Sequence, residues 1–293
     1  MFRGSLTALV TPFKNGAVDE AAFATLVERQ INAGTHGLVP CGTTGEVPTL
    51  SDAERKRLIS LTLEINNGRV PVIAGVGSNS TAASIAMQTF AKEAGADAGL
   101  VVSPYYNKPN QDGLFAHFEA ISSAVELPII VYNIPGRSIV DIADDTMVSI
   151  AKLTHVVGVK DATGDLTRVT AYRTTIGHDF CQLSGEDPTA LAYNANGGVG
   201  CISVTSNVAP ELCAQMQTAS LEGRAEDALA IQDKLFALHR ALFLSPSPGP
   251  AKYALSLMGL CSDELRLPLT GPDEKVKARI RDALDTAGLE YSK

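Results

Sequence analysis

Eight short runs rich in β-branched residues recur along the chain, with amphipathic stretches between most of them. They lie at Leu6–Val10, Gly37–Pro40, Val72–Gly75, Gly99–Ser103, Ile129–Tyr132, Val156–Lys160, Phe180–Leu183 and Val199–Ser203. Strands that alternate with helices are typical of parallel βα units, and eight such units match the number at which a barrel closes. We therefore predict an α/β fold, a TIM (β/α)8 barrel.

The stretches between the runs predict helices at Asp19–Ala33, Asp52–Asn66, Thr81–Ala94, Gly113–Val125, Asp144–Leu153, Leu166–Ile176 and Pro188–Asn194. Some carry helix start signals, because Ser51 with Glu54 forms an S-x-x-E capping box, and Ser80 or Thr81 can cap the helix after the third strand. An open Rossmann-like sheet is the alternative. No G-x-G-x-x-G follows the first run, so the barrel is favoured.

Beyond the eighth strand the chain continues through predicted helices at Pro210–Ser220, Ala225–Phe243, Pro250–Met258 and Glu274–Ala287. A proline-rich segment, Ser245-Pro-Ser-Pro-Gly-Pro250, forms a rigid connection between two of them. We predict that residues 1–223 form the barrel and that residues 224–293 form a helical extension packed on it.

Composition excludes several classes of function. With 293 residues, 45% of them hydrophobic, the chain can bury a large core. A charged fraction of 19% and a formal net charge of −8 argue against nucleic-acid partners. No apolar run approaches the roughly 20 residues that cross a bilayer, and the apolar stretch within residues 1–13 is too short for a secretory signal. We expect no membrane association and a cytoplasmic location.

The five cysteines and five histidines are scattered. No C-x-x-C pair and no H-E-x-x-H motif occurs, so the cysteines are interpreted as reduced packing residues, and neither a metal site nor a cofactor is predicted. Any chemistry then depends on other side chains, which in a barrel project from the C-terminal ends of the strands.

Lys160 follows the apolar run Val156-Val-Gly-Val159, so its amine begins in a low-dielectric setting that favours the neutral form. A neutral amine is a nucleophile that forms Schiff bases with carbonyl substrates. The alternative is a lysine that reaches solvent or pairs with Asp161.

Two further strand ends carry polar groups. Gly42-Thr-Thr-Gly45 offers hydroxyls and accessible N–H groups suited to a carboxylate, although it could be an ordinary turn. Tyr132 could relay protons or simply pack, and Arg137 could bind a carboxylate or lie free on the surface. The glycine-rich Asn196-Gly-Gly-Val-Gly200 precedes its strand and is interpreted as a turn, since a phosphate loop should follow the strand.

Five segments together resemble the dihydrodipicolinate synthase family, within the pyruvate-dependent aldolase superfamily of N-acetylneuraminate lyase. They are Gly42-Thr-Thr-Gly-Glu46, Tyr105-Tyr-Asn-Lys-Pro109, Tyr132-Asn-Ile-Pro-Gly-Arg137, Val159-Lys-Asp-Ala-Thr-Gly164 and Ser184-Gly-Glu-Asp187. The resemblance covers essentially the whole chain, and Arg137 after Pro-Gly points to the dipicolinate branch.

The resemblance implies a lyase of lysine and diaminopimelate biosynthesis that condenses pyruvate with L-aspartate 4-semialdehyde. It implies that Lys160 forms the Schiff base, that Tyr132 and Thr43 move protons, and that Tyr106 of a neighbouring subunit completes the relay in a homotetramer. The implied substrate-binding residues are Thr44, Arg137, Gly185 and Ile202. Alternatives are a sialic-acid or keto-deoxy sugar-acid aldolase, an inactive barrel kept for binding, and a phosphate-binding isomerase barrel.

One departure from the family concerns feedback inhibition. Members inhibited by lysine receive it through histidines and a helix glutamate, and this chain keeps Asn79 and Tyr105 of that site. Asp52 and Arg55 stand in place of the histidines, and Ala83 in place of the glutamate. We expect weak or absent inhibition by lysine.

Overall fold

The computed structural model describes residues 2–292. The strands are β1 (Gly4–Ala8), β2 (Phe13–Lys14), β3 (Ala17–Val18), β4 (Gly37–Val39), β5 (Ile73–Gly75), β6 (Ala98–Val102), β7 (Ile129–Asn133), β8 (Val156–Asp161), β9 (Cys181–Ser184) and β10 (Gly200–Ser203). Eight of them, β1 and β4 to β10, form one parallel sheet in the order β4-β1-β10-β9-β8-β7-β6-β5. A parallel bridge between Leu38 and Val72 joins the two end strands, so the sheet is a nearly closed barrel. The predicted TIM barrel is confirmed.

Helices surround the sheet and continue beyond it. They are α1 (Glu20–Asn32), α2 (Asp52–Asn66), α3 (Thr81–Ala94), α4 (Gln111–Ala124), α5 (Pro135–Ser138), α6 (Asp144–Ile150), α7 (Thr167–Thr175), α8 (Ala190–Ala195), α9 (Pro210–Leu221), α10 (Ala225–Ala241), α11 (Gly249–Leu257) and α12 (Glu274–Ala287). The Ser51–Glu54 capping box opens α2 as predicted, and Ser80 caps α3.

Three apolar clusters fix this arrangement. The barrel interior is filled by inward side chains such as Leu6, Ile130 and Leu183. A larger cluster lies between the sheet and its helices. The third joins the C-terminal helices to the barrel, because Leu238 and Leu255 share it with Val10 and Val204. Helices α10 to α12 and the segments between them, which we call the C-terminal layer, therefore pack directly on the barrel. A division at residue 223 stays a prediction.

Two small elements were missed by the sequence analysis. The hairpin of β2 and β3 turns at Asn15-Gly16, where both residues have positive φ angles of 54° and 82°. Asn-Gly is the typical pair for such a turn, so this signal was available in the sequence. The second missed element is the four-residue helix α5, for which the sequence analysis predicted no helix.

Candidate active site

A cavity of about 240 Å³ lies at the C-terminal ends of the barrel strands. It is lined by Thr43, Thr44, Tyr132, Ile134, Gly136, Arg137, Lys160, Ala162, Gly185, Glu186, Val204, Phe243 and Ser247. Six of the eight site residues predicted from the sequence are in this set. The structure therefore brings together predicted residues that are up to 142 positions apart in the chain, from Thr43 to Gly185.

Lys160 lies near the end of β8 and is only 6% exposed. The register of β7 and β8 places it beside Tyr132, and its Nζ is 4.2 Å from the centroid of the Tyr132 ring. Among residues 2–292 no carboxylate lies within ion-pair distance of this amine. The alternative pairing with Asp161 is not formed, because Asp161 accepts hydrogen bonds from the backbone and hydroxyl of Thr163 instead.

Thr43 and Thr44 lie on a 3-10 turn after β4, which we call the threonine loop and define as residues 41–46. The loop is held by a hydrogen bond from the Thr11 hydroxyl to the Gly45 carbonyl, 2.8 Å long. Within the described chain, neither threonine hydroxyl makes a hydrogen bond, and neither does the Tyr132 hydroxyl. Polar groups that face a cavity without a partner are available to a ligand.

Gly185 directly follows β9 and lies close to the end of the Lys160 side chain. A Cβ at this position would lie 2.7 Å from the Ala162 Cβ and 3.2 Å from the Lys160 Cε, so any side chain here would press on the lysine stem. The Gly185 N–H donates to the Asp161 carbonyl, which keeps the two strand ends together. Glycine therefore keeps space open beside the Lys160 amine.

Two further charged groups, Arg137 and Glu186, line the cavity. Arg137 lies on α5, and within residues 2–292 it forms no ion pair. Glu186 follows Gly185, and burial together with the neighbouring Asp187 raises the pKa of its carboxyl group, while Lys160 and Arg137 oppose that change. Asp187 itself is buried and accepts hydrogen bonds from Ser203, from Val204 N (2.9 Å) and from Thr205 N (3.1 Å), which ties β9 to the end of β10.

Two predicted site residues lie elsewhere in the single chain. Tyr106 is 90% exposed and has a positive φ angle of 69°, and it does not line the cavity. Ile202 is buried inside the barrel among Leu183 and other interior side chains, while Val204, two residues later, lines the cavity. The implied roles of both residues stay predictions.

Several lining residues had no role in the sequence analysis: Glu186, Val204, Phe243 and Ser247. Glu186 was part of a quoted motif, and its place just after a strand was a usable signal. Phe243 and Ser247 lie in the segment between α10 and α11, more than 80 residues after Lys160. No local pattern indicates that this segment folds back over the barrel.

The glycine-rich segment 196–200 lies before β10, at the opposite end of the barrel from the cavity, and it begins as a turn after α8. The interpretation of this segment as a turn is confirmed. A larger open groove of about 670 Å³ also lies away from the site, between the end of α1 and helices α9 and α10. Its arginine, Arg224, is already paired with Glu222 and Asp227, so this groove has no free cation or nucleophilic lysine.

Three general findings complete the description. Among residues 2–292 there is no group of three or more histidine, cysteine, aspartate or glutamate side chains that could hold a metal ion. All five cysteines are free thiols, four of them buried. No helix in the described part of the chain is long and apolar enough to span a membrane.

Comparison with known proteins agrees with this geometry. The sequence model of the Dihydrodipicolinate synthetase family matches residues 1–287. A relative from Hyphomonas neptunium, named 4-hydroxy-tetrahydrodipicolinate synthase, is 62% identical over 291 residues, which cover 99% of each chain.

Two solved structures are similar over nearly their whole length. Dihydrodipicolinate synthase from Acinetobacter baumannii, solved with pyruvate, has a TM-score of 0.96 at 42% identity, with 99% of this chain and 100% of that chain covered. The enzyme from Cyanidioschyzon merolae, solved with lysine bound, has a TM-score of 0.95 at 36% identity and 99% coverage of both chains. This chain, with its lysine-centred cavity at the mouth of an eight-stranded barrel, belongs to the dihydrodipicolinate synthetase family.

Proposed function

We propose that this chain is a lyase that condenses pyruvate with L-aspartate 4-semialdehyde through a Schiff base on Lys160, to give 4-hydroxy-tetrahydrodipicolinate. The observation that carries the proposal is the buried amine of Lys160, which pairs with no carboxylate of residues 2–292. It faces a cavity lined by Arg137 and by hydroxyls without a partner in that part of the chain. The names of the relatives support this assignment, and so does the pyruvate complex of the Acinetobacter baumannii enzyme.

In the first step the Lys160 amine attacks the keto carbon of pyruvate, and loss of water forms the imine. The phenol of Tyr132 is adjacent, since its ring lies 4.2 Å from the amine, and we assign it the proton transfers at the carbinolamine. Thr43 extends the proton path from Tyr132. Thr44 binds the pyruvate carboxylate, with Gly185 and the Ile202 backbone completing the pocket.

The second step uses the imine as an electron sink. The iminium nitrogen draws electrons, so the methyl group loses a proton and becomes an enamine carbon nucleophile. This carbon attacks the aldehyde carbon of the semialdehyde and forms the new C–C bond, and the aldehyde oxygen takes up a proton to become the hydroxyl. The amino group of the semialdehyde then attacks the imine carbon and displaces Lys160, which closes the ring and frees the enzyme.

Arg137 binds the carboxylate of the second substrate in this proposal. Its planar guanidinium can donate two parallel hydrogen bonds to a carboxylate. No residue of the described chain already forms an ion pair with it. Arg137→Ala is therefore expected to weaken use of the semialdehyde while pyruvate still forms the imine.

We further propose a homotetramer in which Tyr106 completes the site of a neighbouring subunit. The Tyr106 ring is 90% exposed in the single chain, and contact with a second copy would remove this apolar surface from water. Activity that falls on dilution in step with dissociation, followed by sedimentation, supports this arrangement. Fully active monomers would rule it out.

The experiment that tests the function compares substrates. Purified protein is given pyruvate with aspartate 4-semialdehyde, and product is followed through a coupled reductase, while a parallel reaction contains N-acetylneuraminate and follows its cleavage. We expect turnover in the first reaction only. Cleavage of N-acetylneuraminate without condensation would move the chain to another branch of the superfamily.

A further inference from the structure

A fully buried ion pair joins the C-terminal layer to the threonine loop. The Nζ of Lys252, on α11, donates to Oε1 of Glu46 at 2.8 Å, and the two side chains are 0% and 1% exposed. Glu46 is the last residue of the threonine loop, so it follows Thr43 by three positions and Thr44 by two. The pair is thus close in sequence, through Glu46, to two residues of the proposed site.

The second carboxylate oxygen of Glu46 is also occupied. Oε2 accepts a hydrogen bond from the backbone N–H of Arg266 at 3.1 Å, so both oxygens bind groups of the C-terminal layer. Both cations approach the Phe13 ring, with Lys252 Nζ 4.2 Å and Arg266 Cζ 4.4 Å from its centroid. Burial lowers the pKa of Lys252, and the hydrogen bond and charge of Glu46 oppose that change.

The backbone at Glu46 explains why such a contact is needed. Glu46 has φ and ψ angles of 56° and 34°, in the left-handed region, and Cys41 at the start of the loop has a φ of 58°. Residues other than glycine rarely adopt this conformation unless the surrounding structure holds them there. The Glu46 side chain is anchored at both oxygens, so it fixes the backbone turn that presents Thr43 and Thr44 to the cavity.

A buried ion pair is a poor way to gain stability alone, since apolar side chains of similar volume often stabilise a core as well or better. A hydrogen-bonded pair differs in that it is directional and fixes the position of its partners. We propose that Glu46 and Lys252 are positioning residues, through which the C-terminal layer holds the threonine loop in the conformation that binds pyruvate. The proposal deepens the proposed function and rests on it for the roles of Thr43 and Thr44.

The test removes the tether without leaving a buried charge. In the double variant Glu46→Met/Lys252→Met both charges are replaced by flexible apolar side chains, so the fold is retained. We expect the KM for pyruvate to rise at least about tenfold, because misplacing a binding group by about 1 Å has effects of this size or larger. The KM for the semialdehyde should stay near its original value, because Arg137 lies on α5, outside the threonine loop.

Hydrogen exchange gives a readout that does not depend on activity. The amides of Gly45 and Glu46 donate to the carbonyls of Gly42 and Thr43 at 3.0 and 3.1 Å. In the double variant, exchange in the peptide that contains them should be at least about tenfold faster, as local opening becomes easier.

Leu255→Ala is the matched control. Leu255 is fully buried on α11, the same helix as Lys252, but it packs in the C-terminal cluster and does not contact Glu46 through a hydrogen bond. It should lower stability while the pyruvate KM and the exchange of the threonine loop stay as in the original protein.

The outcomes separate the two proposals. A double variant with an unchanged pyruvate KM, whatever its exchange, overturns the positioning role, provided that the original protein forms the imine. If the original protein forms no imine with pyruvate, the proposed function is overturned. In that case hydrogen exchange still tests the positioning proposal: unchanged exchange of the threonine loop in the double variant would overturn the claim that the Glu46–Lys252 pair holds the loop.

Discussion

Two buried lysines occupy similar surroundings in different regions of this molecule. Lys160, at the mouth of the barrel, is 6% exposed, and Lys252, between the barrel and the C-terminal layer, is 0% exposed. Each amine lies 4.2 Å from the centroid of an aromatic ring, Tyr132 in one case and Phe13 in the other. They differ in their partners: Lys252 contacts the carboxylate of Glu46 at 2.8 Å, whereas no carboxylate of the described chain pairs with Lys160.

We expect that pairing, more than burial, separates a structural lysine from a reactive one. Around Lys252 the neighbouring groups are satisfied, since Glu46 binds Lys252 and the Arg266 backbone. Around Lys160 the hydroxyls and the guanidinium of Arg137 have no partner in the described chain and face a cavity. A satisfied cluster holds its partners in fixed positions, and an unsatisfied one is available to ligands. Substitutions at Lys160 should therefore change mainly activity, and substitutions at Lys252 should change mainly the free energy of unfolding.

The largest expected effect is on activity, at the barrel mouth. Lys160→Met should lower kcat by at least about 10³-fold, because the covalent step loses its nucleophile. The free energy of unfolding should stay the same or rise, because an unpaired buried amine is removed without leaving a partner behind. Steady-state kinetics and urea unfolding measure the two quantities. A marked loss of stability would mean that Lys160 is a structural residue like Lys252.

Lys252→Met should lower the stability of the fold, the reverse of the effect expected for Lys160→Met. It leaves Glu46 buried and unpaired, so we expect the free energy of unfolding to fall by about 3–5 kcal/mol. The matched double variant with Glu46→Met should recover most of that loss. If the single variant is as stable as the original protein, the pair is not the strong contact that its burial indicates.

A third buried cation extends the comparison to feedback inhibition. Arg55 is 9% exposed, lies 3.8 Å from Asp52, and donates to the Gly75 carbonyl at 3.3 Å. Arg55 lies on α2, and Ala83 stands where lysine-inhibited family members have a glutamate. A lysine ligand therefore lacks the charge-assisted hydrogen bond to that glutamate, a loss of about 1.5–3 kcal/mol or roughly tenfold to a hundredfold in affinity. Inhibition curves at saturating pyruvate should show weak or absent inhibition. Half-inhibition by sub-millimolar lysine would contradict this expectation.

The smallest effect concerns the more exposed ion pair beside Lys252. Hydrogen bonds from Arg266 lower the pKa of Glu54 from 4.5 to about 2, so the carboxylate stabilises the fold above its unfolded pKa and loses this contribution as the pH falls toward 2. Glu54→Gln keeps the capping geometry of α2 but removes the charge. At neutral pH it should cost less than about 1 kcal/mol, since solvent screens this pair. The difference should shrink below pH 4.5, as measured by urea unfolding; a constant difference would contradict the charge argument.

The sequence predicted the parts of this molecule that depend on local patterns. Strand β8 and Lys160 at its end follow from an apolar run and the polar residue that closes it. The Glu46–Lys252 pair could not be predicted this way, because 206 positions separate the two residues and each looks like an ordinary surface charge. Phe243 and Ser247 were missed for the same reason. Their place in the cavity depends on how the C-terminal layer packs, which periodicity does not indicate.

The most direct test of the central claim is to find which lysine reacts. The protein is treated with borohydride in the presence of pyruvate, and the reduced adduct is located by peptide mass spectrometry, with a reaction lacking pyruvate as the control. The account predicts one pyruvate-dependent adduct, on the peptide that contains Lys160, and none on Lys252. An adduct on another lysine, or no adduct at all, would contradict it.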